Sequence, residues 1–130
     1  MKDITIPKKL GPLVEAFSVE SEEAAKTLII SAAKAICYSD SIGFRSNPSR
    51  EEIEGVWALM KGIKPRDTIE ALYAAQIVAA HMLGMRKLAD DHIDDQSFGL
   101  KLLSFSTHAM QLLEKKRNME IQDILVKAQP

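Results

Sequence analysis

The sequence predicts an all-α protein, an antiparallel bundle of about four helices. Three observations point there. Apolar residues recur three and four positions apart in several separate stretches. Two of those stretches open with a pair of capping residues at helix-start spacing. Strand-like alternation is absent except in residues 3–6. Most connections between the periodic stretches are short, which favours antiparallel neighbours.

Residues 1–17 are punctuated by Pro7, Gly11 and Pro12 and read as an N-terminal arm, with Leu13, Val14 and Phe17 free to pack on the body. Residues 18–130 then read as one helical domain. The first helix is expected over residues 19–38. Ser18 is its N-cap, Glu20, Glu22 and Glu23 suit the positive end of the helix dipole, and Leu28, Ala32, Ala35 and Ile36 form its apolar stripe. SDSIGFRSNP breaks the pattern as a loop of about nine residues.

The second helix is expected over residues 49–62. Ser49 and Glu52 stand at capping-box spacing, Ile53, Val56, Trp57 and Met60 share a face, and Gly62 with Pro65 supplies the stop. The third is expected over residues 67–90, opened by the Asp67 and Glu70 pair. No formal charge lies between Glu70 and Arg86, so this helix is apolar on nearly every side and must be covered all round, by its own chain or by a second copy. DDHIDD reads as an acidic turn, with Asp94 or Asp95 capping the fourth helix.

The fourth helix is expected over residues 97–117. Phe98, Leu102, Phe105, Ala109, Leu112 and Leu113 form its core face, and Lys115, Lys116 and Arg117 suit a C-terminal turn. Ile121, Ile124, Leu125 and Ala128 share a face, so the tail either extends this helix toward residue 128 or forms a short one of its own. Either way it is expected to pack.

Composition narrows the function. The chain has 130 residues, 46% of them hydrophobic, enough for one core. A net charge of −1 lacks the basic excess of a dedicated nucleic-acid binder. Cys37 is the single cysteine, which excludes an internal disulfide and a thiolate zinc cluster and fits a buried thiol in a reducing compartment. No signal-like h-region follows the N-terminus, and the uncharged run over residues 71–85 falls short of the roughly 20 residues a membrane span needs. A cytoplasmic location, with no membrane partner, is the expectation.

The chemistry-bearing residues form no familiar pattern. No Gly-rich phosphate loop, nucleophile elbow or CxxC is present. His81 and His108 lack a ligand partner three or four residues away, so a metal site would need them to meet across helices, or Asp91 and Asp94 to gather in the acidic turn. His81 reads more simply as a hydrogen-bonded core histidine that sets register together with Gln76. Gln76 stands in the most apolar stretch, where a buried amide would bond to Ser104, Thr107 or His108, or to its own copy across a two-fold axis, and so fix register. Ala79 and Ala80 beside it permit close packing. Lys61, Lys64 and Arg66 cluster at one turn, and with Lys115, Lys116 and Arg117 they are the candidate phosphate contacts. The third helix offers no polar face to read a groove, which argues against a helix-turn-helix.

The run PRDTIEALYAAQIVAAHMLGMRKLA, with QSFGLKLLSFSTHAMQLLEKKR after it, resembles a motif of small uncharacterised bacterial proteins, mainly proteobacterial. These share an acid-capped, Ala-rich helix with a central Gln and a His a few residues on. The resemblance covers residues 65–117, about 40% of the chain, and departs at NMEIQDILVKAQP, where such proteins often carry a polar or His-rich tail. It implies a bacterial helical protein and carries over no catalytic residue.

The expectation is therefore a non-enzymatic, self-associating protein without a cofactor, first of all a dimer through the third helix or the C-terminal segment. Another protein partner remains compatible with it. A nucleic-acid accessory protein and a metal-dependent bundle enzyme are the alternatives.

Overall fold

A computed structural model describes residues 22–37 and 47–129. The expected arm, Ser18 and the start and end of the first helix, and most of the loop after it lie outside these residues. The described chain forms four helices, α1 (Glu22–Ile36), α2 (Arg50–Ile63), α3 (Thr68–Leu88) and α4 (Ile93–Lys127), and no strand. The all-α bundle is as predicted.

The helices run up, down, up and down. At the first joint the Cys37 thiol donates to Glu52 Oε2 at 2.8 Å, so the end of α1 meets the start of α2. Glu52 also completes the predicted capping box. Its amide donates to Ser49 Oγ at 3.1 Å, and its Oε1 accepts from the Ser49 amide at 3.2 Å. The Cys37 hydrogen bond is the main cause holding the Glu52 carboxyl below its ordinary pKa, against the opposing pull of burial. Cys37 is itself only 2% exposed, so a reagent cannot reach the thiol without opening the joint. Ellman's reagent is expected to leave Cys37 untouched in the native protein and to titrate it only under denaturant. Rapid native reaction would show this joint to be open.

The second joint differs from the sequence reading. Gly62 stays helical, and α2 stops only at Lys64, which takes the left-handed conformation at φ 56° and returns its amide to Lys61 O. Pro65, which is buried, bars continuation. At the start of α3, Asp67 accepts from the Glu70 amide at 2.8 Å, but Glu70 does not close the box onto the Asp67 amide. Its carboxylate instead accepts from the Arg66 amide at 3.2 Å.

The third joint is tighter than predicted. α3 ends at Leu88, and α4 starts at Ile93 rather than Ser97, with His92 at the N-cap position. Asp94 and Asp95 are thus not caps. They lie in the first turn, where carboxylates favour the helix dipole. With neither Gly nor Pro between Gly99 and Pro130, nothing stops α4 at the Lys115, Lys116, Arg117 cluster, and it continues as one 35-residue helix.

Packing explains why α3 is so apolar. It is the central helix, touching α1, α2 and α4, whereas α4 packs chiefly on α3 and meets α2 around Ile63. The main core joins Ile29, Ala33 and Ile36 of α1 and Ile53, Val56 and Met60 of α2 to Ala71, Ala74 and Val78 of α3. A smaller core of Ile77, Ala109 and Leu113 binds α4. α3 and α4 approach most closely at two glycines, where a Cβ added to Gly99 would lie 2.7 Å from Gly84 O. Beside that crossing, Ser106 Oγ donates to Ile77 O at 3.0 Å.

Candidate interaction surface

Because α4 rests mainly on one helix, a groove runs along each of its sides. On the α1 side, Ala35, Gln76, Ala79, Ala80, Leu83, Leu102 and Phe105 line an open and almost wholly apolar groove of about 380 Å³. On the α2 side, a smaller groove of about 130 Å³ is lined by Leu59, Ile63, Ile77, Val78, His81, Ser106 and Met110.

The core face predicted for α4 is rotated from the observed one. Ala109 and Leu113 are buried, and Gly99 and Ser106 join them, but Phe98, Phe105 and Leu112 stand well exposed. The Gly84–Gly99 contact sets this rotation, since the smallest side chains face the crossing and the aromatics turn aside. The outward residues form a row at seven-residue intervals along nearly all of α4. Phe98 is 48% exposed, Phe105 49%, Leu112 39%, Met119 58% and Val126 67%.

α4 also outruns its support. Lys116 bonds to Asp67 at the very start of α3, and Arg117 reaches Ile63 O and Lys64 O in the joint before it. Everything after Arg117 projects past that end of the bundle, about 15 Å of helix. The tail is helical, but within the described chain it does not pack as expected. Ile121, Ile124, Leu125 and Val126 are all exposed.

An ionic clamp anchors the base of this overhang. Glu70 is fully buried. Its Oε1 accepts from Arg117 Nε at 2.8 Å and its Oε2 from Lys116 Nζ at 3.0 Å. Lys116 Nζ also donates to Asp67 Oδ2 at 2.9 Å and Glu120 Oε1 at 2.7 Å. Burial would raise the Glu70 pKa, but the Arg117 and Lys116 hydrogen bonds and the Arg66 amide outweigh it and the net shift is downward. Asp67 is lowered chiefly by the Glu70 amide and then by Lys116. Lys116 is raised well above its ordinary value, first by Glu120 and then by Asp67, against its own desolvation. Sequence reasoning sees Glu70 only as a capping residue. The signal that could have found the clamp is the basic cluster in mid-helix with Glu120 one turn beyond it.

The other candidate residues separate. Gln76 is exposed on the α1-side groove rather than buried, and the buried hydroxyl of α4 comes from Ser106, which bonds to the α3 backbone. His81 is exposed on the α2-side groove, which overturns its reading as a core histidine, and His108 is exposed on α4. The Gly84–Gly99 and Ile77–Ser106 pairings place the two histidines about one and a half turns out of register. Among the described residues, the one group of three acidic, His or Cys side chains close enough to share an ion is Asp67, Glu70 and Glu120. Lys116 Nζ already sits among those oxygens, and His81, His108, Asp91 and Asp94 take no part. Asp91 remains in the acidic turn, its amide donating to Asp90 Oδ1 at 2.7 Å.

The candidate phosphate contacts are likewise divided. Lys116 and Arg117 are committed to carboxylates, and Lys61 lies over the Trp57 ring, 5.5 Å from its centre. Lys64, Arg66 and Lys115 are exposed. No helix among the described residues is long and apolar enough to cross a membrane.

Fold and surface together define an all-α bundle with an ion-clamped, overhanging fourth helix. No protein-family model, no curated protein and no solved structure matches the chain.

Proposed function

We propose that the protein acts by self-association, as a non-enzymatic helical interaction protein, a dimer in the simplest case. The observation that carries this is the exposed row of Phe98, Phe105, Leu112, Met119 and Val126. Single exposed apolar residues are ordinary on a monomer, but five large ones repeated at one interval along a single helix are more than scatter, even with exposed Lys101, His108 and Lys115 standing between them. Gln76 gives this surface its polar group. It lines the α1-side groove together with Ala79 and Leu102, where an amide can set register against a second chain. His81 has no such place on that side. A nucleic-acid role has less support, since Lys116 and Arg117 hold carboxylates, and so has a metal-dependent reaction, since an ammonium fills the acidic cluster.

Sedimentation velocity over a wide concentration range tests the proposal. The expected result is a species of twice the 14.4 kDa chain mass that dissociates on dilution. A monomer at every concentration would end the reading.

A further inference from the structure

We infer that the α4 helices of two copies pair antiparallel about a two-fold axis at Leu112, so that the overhang of each seats against Phe98 and the Leu102 and Phe105 groove of the other. This rests on the self-association reading and deepens it.

Length comes first. The exposed row spans 29 residues of α4, about 42 Å from end to end. The other described helices have 15, 14 and 21 residues, too short to cover it. Among the described elements of this chain, only a second α4 is long enough. A row that repeats every seven residues drifts by about 20° per repeat on a straight helix, so the two helices would wrap with a left-handed twist.

Side-chain size then sets direction. Antiparallel pairing about Leu112 places Phe98 level with Val126 of the second copy, Phe105 level with its Met119, and Leu112 level with its own counterpart. Each large ring meets a smaller or more flexible partner, which keeps the helix separation even. Parallel pairing would set Phe on Phe at one end and Val on Val at the other.

Both unsatisfied features of the single chain are met at once. The overhang lies beyond the first turn of α3 and finds nothing to rest on in the described chain, while the groove between α1 and α4 lies toward the other end of the bundle. The two-fold brings one onto the other, twice. A half-exposed side chain of this size offers on the order of 100 Å², so the two rows together bury about 1,000 Å², the scale at which specific interfaces begin.

Disulfide trapping tests the direction, with Cys37→Ser as background. Leu112→Cys chains are expected to cross-link to themselves. A mixture of Phe98→Cys and Val126→Cys chains is expected to form the mixed disulfide, with neither variant linking to itself, because a disulfide demands Cα atoms within about 7 Å. In sedimentation, the Met119→Glu/Val126→Glu double variant should weaken the dimer by about 100-fold or more through buried unpaired charge, with helix content unchanged. Phe98→Cys linking to itself would overturn the antiparallel arrangement. A dimer indifferent to the Met119→Glu/Val126→Glu change would move the interface elsewhere and leave self-association standing. A wild-type chain that is monomeric throughout would remove both readings.

Discussion

Gly99→Ala is expected to destabilise the fold by about 2–3 kcal/mol, because the added methyl has no room and its neighbours cannot yield. A Cβ at Gly99 would stand 2.7 Å from Gly84 O, 2.8 Å from Leu88 N and 3.2 Å from Lys87 C, all of them backbone atoms of α3. Relief requires the two helices to separate, which loosens Ile77 against Ala109 and Leu113 and lengthens the bond from Ser106 to Ile77 O. Helix propensity works the other way, since Ala in a helix interior is favoured over Gly by about 1 kcal/mol, so the expected loss is net of that gain. Gly84→Ala gives the control. Its Cβ would meet Leu103 Cγ at 3.0 Å and Gly99 O at 3.1 Å, and the first of these belongs to a side chain that can turn. Chemical denaturation should rank Gly99→Ala well below Gly84→Ala. Equal stability of the two, or a gain from Gly99→Ala, would show that the crossing is not fixed by the close approach.

The same crossing marks where the sequence stops being legible. Local signals locate the elements well. The Ser49 and Glu52 box opens α2 as expected, and the charge-free run of α3 marks the central helix, but α3 is not covered all round within the described chain, since Ile69, Leu72 and Met85 stand about half exposed. Rotation about a helix axis is a different matter. Phe98, Phe105 and Leu112 share a face with Ala109 by periodicity, which assigns the larger residues to the core. The close approach at Gly84 and Gly99 turns that face aside, and a contact between two glycines leaves no hydrophobic signal to read. Gln76 fails for a related reason. An apolar run implies burial of its polar member only if the helix is covered on every side, and α3 is open between α1 and α4. The Lys115, Lys116, Arg117 cluster misleads because helix ends and mid-helix ion clamps use the same residues. What separates them is a buried carboxylate on another helix, which only the fold reveals.

Glu70→Ala is expected to cost about 3 kcal/mol, the scale of breaking a buried ion pair by removing one partner. Glu70 is the only fully buried charge among the described residues, and two cations from α4 and the Arg66 amide converge on it. Its loss strands Arg117 against Ile63 O and Lys64 O and leaves Lys116 to Asp67 and Glu120 alone. Both cations keep about a fifth of their side chains in solvent and can partly rehydrate, which holds the cost to the lower end of the range. The sign of the pH dependence follows from the pKa directions. Asp67 and Glu70 are depressed below their ordinary 3.8 and 4.5, so their contribution is present above those values and drains as pH falls through the lower folded-state ones. Lys116 is raised above 10.5, so its contribution is complete below that value and is lost only as pH climbs beyond it. Between these limits the clamp holds a plateau. Glu70→Gln, which keeps the shape and removes the charge, should lower the plateau and flatten its acid edge, as read by thermal melts at a series of pH values. An acid edge as steep in Glu70→Gln as in the wild type would assign that edge to other carboxylates. Under the proposed antiparallel pairing this clamp would do more than hold one chain together, because it anchors the base of the overhang that seats on the second copy. Glu70→Gln should therefore weaken dimerisation as well as folding, although it lies outside the paired row.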